Sequence, residues 1–220
     1  NLSMSYGYDA ELTHEQAIEE NIPVDKCIDF HFGHLMPQWQ ASSIPPLSEV
    51  IKKPYGEFGP HLIPSEVSLD RLEALFTLDT ILGKNPETTI AKFLYEGMNG
   101  TNPDLDLSSY DIILFDAPPA KNQTTRGALL ASDYVIAPVS MERYSTKSVS
   151  YLAKVLGEME SSLGKYPELL ILGNFYDKTR LRVAAQVITL VNQYKDSWVD
   201  KSISSSEEFK KVLSSEDYEL

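Results

Sequence analysis

Residues 110–120, Tyr-Asp-Ile-Ile-Leu-Phe-Asp-Ala-Pro-Pro-Ala, limit what this chain can fold into more than any other stretch. Ile112, Ile113, Leu114 and Phe115 form a continuous apolar run, which suits a short strand buried on both faces of a parallel sheet. The run ends at Asp116. Ala117, Pro118 and Pro119 then force an extended turn, because proline cannot join the ladder and disfavours helix in the residue before it. Two readings are open. In one, an acid at the carboxyl end of a buried strand holds a magnesium ion beside a nucleotide phosphate, at the edge where open α/β sheets bind ligands. In the other, Asp116 only caps the turn that follows.

The rest of the chain supplies the context such a strand needs. Thr13 and Gln16 have the spacing of a capping box that opens a short helix through Glu20. Residues 28–60 are rich in proline, glycine and aromatics without a sustained period, and read as a long ordered excursion. His31 and His34 lie within it; no Cys or third His completes a metal set, so packing roles are favoured. His61–Ile63 gives a short strand signal. Ser68 then caps a helix in which Leu72, Leu75, Leu78 and Leu82 recur, closed by Gly83, and a second helix runs from Asn85-Pro86 to about Met98. After Asp116 the order is a helix near 124–131, a strand at 134–138, a helix at 145–163, a strand at 168–173, a helix at 181–194, a strand at 198–203 and a last helix from Ser205. This alternation predicts βαβ units and an α/β fold with a mostly parallel sheet flanked by helices. In the 145–163 helix the stripe Val149, Leu152, Leu156, Met159 and Leu163 is the face expected to pack on that sheet.

At 220 residues, one α/β domain is the economical division. The single cysteine, Cys27, excludes an internal disulfide and fits a reducing, cytoplasmic compartment, and no apolar run reaches the ~20 residues a membrane span needs. A net charge of −13 and a pI near 4.7 oppose a broad basic nucleic-acid surface but leave room for a local patch. Lys178, Arg180 and Arg182 crowd the start of one helix, and Lys210 and Lys211 sit in the last.

A parallel sheet gathers its strand ends at one edge, so Asp116, Pro138 with Ser140, and Asn174 are expected to line one crevice. An Asn amide offers a donor and an acceptor together, as reading an adenine edge requires; alternatively Asn174 tightens the turn Asn-Phe-Tyr-Asp-Lys. No Gly-x-x-x-x-Gly-Lys loop occurs in these residues, so the motifs alone give an incomplete nucleotide site.

Taken together these segments resemble the ParA/Soj partition ATPases, within the ParA/MinD deviant-Walker group of P-loop ATPases. Tyr110, Asp111, Asp116, Pro118 and Pro119 match the family's Walker B stretch. Ala128, Leu129, Ala131, Asp133–Ile136, Pro138 and Val139 match the segment that follows it. His61–Ser65 with Leu69, the turn Asp177-Lys178-Thr179 and the opening Asn1-Leu2-Ser3 resemble three further family segments, whereas residues 28–60 match none. Lys178 departs from the family's usual arginine, which puts that position's role in doubt.

The resemblance implies a P-loop NTPase-like fold, incomplete at its N-terminus, with residues 1–220 forming a single ATPase domain. It implies that the phosphate loop, its two lysines and the catalytic aspartate lie upstream, and that the strand at 111–116 lacks its neighbour here. It further implies that Asp116 holds Mg2+ through water, that Pro118 and Pro119 form the switch turn, and that Asn174 contacts the adenine of ATP, with Pro138 and Ser204 also at the nucleotide. Such proteins dimerise on ATP, bind DNA without sequence preference and answer to a ParB-type centromere-binding partner. In this chain the DNA would meet Lys178, Arg180, Arg182, Lys210 and Lys211. A MinD-like cargo or cell-division positioning ATPase and a non-catalytic interaction protein that retains the fold are the alternatives.

Overall fold

The computed structural model describes residues 2–9, 11–37, 39, 44–66, 69–101, 103–118, 122–140, 145–164, 167–176, 185–204 and 206. These divide into two compact units, residues 1–131 and 132–220.

In the first unit the helices are α1 (Leu2–Ser5), α2 (His14–Glu19), α3 (Leu47–Val50), α4 (Asp70–Ile81), α5 (Thr88–Met98) and α6 (Gln123–Ala131). The predicted capping box is present: the Thr13 side chain accepts the Gln16 N–H, and the Gln16 side chain accepts the Thr13 N–H. Helix α4 presents Leu72, Phe76 and Asp79 to the interior, at i, i+4 and i+7. The leucine stripe read from the sequence is therefore rotated: Leu78 and Leu82 are 51% and 63% exposed, and Phe76 is fully buried in their place. Gly83, at φ +77°, turns the chain out of the helix as expected. The Asp79 carboxylate, anchored by Lys84 Nζ at 2.8 Å, ties that turn back.

The 28–60 excursion is part of the core rather than an appendage. Leu35, Met36, Trp39, Leu47 and Val50 cluster with Leu72, Phe76, Ile90 and Phe93. The excursion is pinned to residues 62–66 by an antiparallel bridge between Lys52 and Leu62 and by the Phe32 N–H donating to the Pro64 carbonyl at 2.8 Å. That bridge is all the regular pairing the 61–63 segment makes among the described residues.

His31 sits in this packing, 1% exposed, with its ring edge-on to His34 at 4.2 Å and to Trp39 at 4.8 Å. Its Nδ1 accepts the Gly33 N–H at 3.1 Å and its Nε2 lies 2.9 Å from Glu66 Oε1, while Arg71 stacks over Trp39. Burial, and then the neighbouring His34, hold its pKa down to about 4. Because that value lies below the ordinary one, the unfolded chain takes up the proton first. The contribution of this group to stability is full above about pH 6.5 and falls as the pH drops towards 4. Burial raises the Glu66 carboxyl, which offsets part of the loss at the acid end. The melting temperature is expected to fall between pH 7 and 5, and His31→Gln to flatten that dependence. An equal slope in the variant would place the titration elsewhere.

The predicted strand at 112–115 does not form. Residues 112–118 carry no regular secondary structure, and Ile112 and Leu114 are 75% and 81% exposed; Phe115 packs partly against the core. A strand exists only through ladder bonds to a neighbour, and an apolar run specifies burial without specifying a partner. No other described segment pairs with this one.

In the second unit three parallel strands, β1 (Tyr134–Ser140), β2 (Glu168–Tyr176) and β3 (Trp198–Ser204), lie in the order β1-β2-β3. Helices α7 (Ser145–Leu163) and α8 (Ala185–Gln193) make the connections, giving the βαβαβ order expected from the sequence. Val149, Leu156 and Met159 of the predicted α7 stripe are buried, with Val155 beside them, and Leu163 is exposed. Gly173 makes room on β2: a Cβ there would lie 3.2 Å from the Ser202 side chain and 3.7 Å from the Trp198 ring. The β2–β3 register shifts on both sides of this position. The last helix expected from Ser205 lies outside the described residues.

Candidate nucleotide site

Asp116 and Pro118 belong to the first unit, and Pro138, Asn174 and Ser204 to the second. Pro119 and the cations Lys178, Arg180, Arg182, Lys210 and Lys211 lie outside the described residues.

The segment carrying Asp116 is unpaired as a strand but held at both ends. Upstream, Tyr110 stands edge-on to His61, with its hydroxyl 2.5 Å from His61 Nδ1. Burial pushes the Tyr110 phenol up, against a downward pull from Lys53 and with Glu57 adding to the rise, so it is a hydroxyl at neutral pH. Downstream, Asn122 caps α6, its Oδ1 accepting the Thr125 N–H at 2.9 Å. The Glu73 carboxylate, from α4, accepts the Gln123 N–H at 2.7 Å and the Thr124 N–H at 3.0 Å. Between these anchors Asp116, Ala117 and Pro118 are exposed.

Asp116 has no ion-pair partner among the described residues. An exposed carboxylate with free lone pairs is the hard oxygen donor that magnesium prefers, so the residue fits the ion the sequence implies. The described residues hold no group of three or more His, Cys, Asp or Glu side chains placed to bind a metal by themselves. A magnesium shell here would be completed by water and phosphate oxygens, the usual arrangement for this ion.

In the second unit the parallel register sets Ser140 beside Asn174, and Ser204 opposite Tyr176, so three polar positions share the carboxyl edge of the sheet. Pro138, two residues earlier and opposite Leu172, lies inside β1 rather than at its end, because the strand runs on to Ser140. Asn174 likewise lies inside β2, which runs on to Tyr176 rather than stopping at Gly173, so it is neither the residue after the strand nor part of a turn. A shallow cleft of about 170 Å³ separates Ala137–Val139 from Ser148, Val149 and Leu152 of α7, smaller than the ~300 Å³ at which small-molecule pockets begin.

Two anchors escaped sequence reasoning. Asn122 had a local signal, an amide directly before a helical run, which identifies an N-cap. Glu73 had none, since its partners lie fifty positions away. No helix of the described residues is long and apolar enough to cross a membrane.

Comparison with known proteins agrees with this architecture. The AAA domain family matches residues 43–168. The chromosome-partitioning ATPase Soj of Thermus thermophilus is 39% identical over 79 residues, 36% of this chain and 31% of that protein. The sporulation initiation inhibitor protein Soj of Bacillus subtilis is 32% identical over 97 residues, 43% of this chain and 38% of that protein. The matched stretches thus span about a third of these curated relatives. Among solved structures, apo McdA of Cyanthece superposes with a TM-score of 0.65 over 96% of this chain and 73% of its own, at 14% identity. A partition protein superposes with a TM-score of 0.51 over 92% of this chain and 53% of its own, at 18% identity. Those likenesses establish a P-loop NTPase-like fold, a parallel sheet flanked by helices. With the family match covering more than half of the 220 residues, the chain belongs to the AAA domain family and, within it, to the ParA/Soj partition group.

Proposed function

We propose that this protein is an ATP-dependent DNA partition ATPase in which residues 1–220 work as one ParA-like ATPase domain. The observation that carries the reading is the family match across Asp116, whose carboxylate is exposed, uncommitted and set between two anchored ends. Asp116 holds Mg2+ through water, and Pro118 and Pro119 form the turn that follows the phosphates. Asn174 contacts adenine, with Pro138 and Ser204 at the same nucleotide. Bound Mg2+ supplies charge neutralisation at the phosphate oxygens. ATP joins two copies of the cytoplasmic protein. The dimer binds DNA nonspecifically through Lys178, Arg180, Arg182, Lys210 and Lys211, and a ParB-type partner releases it.

Asn174→Ala in the full-length protein is expected to weaken ATP by one or two hydrogen bonds, each about 0.5–1.5 kcal/mol, and to narrow its preference over GTP. Competition binding checks this. Equal ATP and GTP affinities in both proteins would leave Asn174 as a structural residue of β2.

DNA binding is expected to require ATP, to ignore sequence and to fall steeply with salt. Each lost phosphate contact should lower the logarithmic salt slope by about 0.9. Reversing the charges of Arg180 and Arg182 tests the surface; an unchanged slope would place the DNA elsewhere. Membrane flotation with no DNA retention would favour the cargo-positioning alternative.

A further inference from the structure

We propose that Glu73 is a positioning residue for the Asp116 turn: by holding the first turn of α6 it fixes where the chain leaving Asp116 must arrive. The catalytic consequence rests on the ATPase reading above; the clamp itself rests on geometry.

A helix leaves its first N–H groups without intrahelical partners. In α6 the first three are all satisfied. Asn122 takes that of Thr125, and the Glu73 carboxylate takes the other two, Gln123 at 2.7 Å on Oε1 and Thr124 at 3.0 Å on Oε2. The Thr124 hydroxyl adds a third bond to the carboxylate, donating to Oε2 at 2.9 Å. Bonds to an ionised carboxylate are stronger than neutral ones, and the negative charge lies at the favourable end of the helix dipole. Glu73 is itself well anchored, standing between the buried Leu72 and Phe76 on α4. A group held on a packed helix transmits its position to whatever it binds.

The body of α6 has a separate brace. Arg126 Nε donates to Glu87 Oε1 at 2.6 Å, and Gly127 lets the helix approach Ile90 and the Glu87 carbonyl, which a Cβ would meet at 3.1 and 3.2 Å. Glu87 therefore secures the helix on α5, whereas Glu73 secures the end that adjoins the turn. Asp116 and Asn122 are six positions apart, a tether of at most about 20 Å, so fixing its far end restricts where the Asp116 carboxylate can stand.

Glu73→Gln and Glu87→Gln in the full-length protein separate the two braces. Glutamine keeps the size of Glu73 but turns an NH2 towards an N–H donor. Glu73→Gln should speed amide exchange at Gln123 and Thr124 by about tenfold and lower the NMR backbone order parameters of Asp116 and Ala117, while Glu87→Gln leaves exchange within about twofold of wild type and those order parameters unchanged. Glu73→Gln should also lower kcat for ATP by about tenfold with KM within about twofold, an effect absent in Glu87→Gln. Thr124→Val, which removes only the hydroxyl bond, should shift exchange and kcat in the same direction by less, and it serves if Glu73→Gln does not fold. Unchanged order parameters at Asp116 and Ala117 in a folded Glu73→Gln protein would reduce Glu73 to a cap and overturn the proposal. So would an equal loss of kcat in the two glutamine variants. A wild-type protein that neither binds nor hydrolyses ATP would instead remove the ATPase reading, and the order parameters at Asp116 and Ala117 would still decide the clamp.

Discussion

Asp116→Ala in the full-length protein is expected to reduce magnesium-dependent ATP hydrolysis to background, a loss of at least about a hundredfold, while the protein stays folded. Two properties of the position support both halves of that outcome. Asp116 is exposed and pairs with no cation among the described residues, so alanine removes no buried interaction, and exposed substitutions of this kind usually shift stability by no more than about 0.5 kcal/mol. Its carboxylate is also the acid that closes the Ile112–Phe115 run, so no neighbour on the segment can take over a magnesium water shell there. Phosphate release with and without Mg2+, measured beside a thermal melt, reads both. Wild-type turnover in a folded Asp116→Ala protein would remove Asp116 from the site.

Phe76→Ala is expected to be the most damaging substitution in α4, costing about 3–5 kcal/mol. The ring is fully buried among Leu72, Ile90 and Phe93, and a domain's whole stability is only about 5–15 kcal/mol. Leu78→Ala and Leu82→Ala, at exposed positions of the same turn and the next, should each cost no more than about 0.5 kcal/mol. Urea unfolding of the three variants orders them. A larger loss at Leu82 than at Phe76 would mean that the leucine stripe, not the phenylalanine face, meets the core.

That contrast shows where sequence patterns inform and where they stop. The capping box at Thr13, the turn at Gly83, the span of α7 and the alternation of three parallel strands with helices were all legible, because each follows from local chemistry or from a period sustained over several turns. The buried face of α4 was not: Leu72, Leu75, Leu78 and Leu82 and the pair Leu72 and Phe76 both fit a helical period, and only the core residues that α4 meets, from distant parts of the chain, choose between them. The 112–115 run was legible as chemistry and not as structure, since apolar character predicts burial while a ladder needs a partner that a local pattern cannot name. The excursion at 28–60 lacked any period, yet Leu35, Met36 and Trp39 complete the core through loop and 3-10 geometry. The candidate site divides in the same way. The acid after an apolar run marked Asp116, and the carboxyl half of a parallel strand marked Asn174, although β2 runs on past it to Tyr176. The Glu73 clamp depends on a contact across fifty positions, and no local rule reaches that far.

The most direct test of the account is equilibrium binding and turnover of ATP by the full-length wild-type protein, with and without Mg2+. ATP should bind in preference to GTP, turnover should be slow, and it should stop when Mg2+ is chelated. A folded full-length protein that binds no nucleotide under either condition would contradict the assignment of Asp116 and Asn174 to a nucleotide site, and with it the reading of this chain as a partition ATPase.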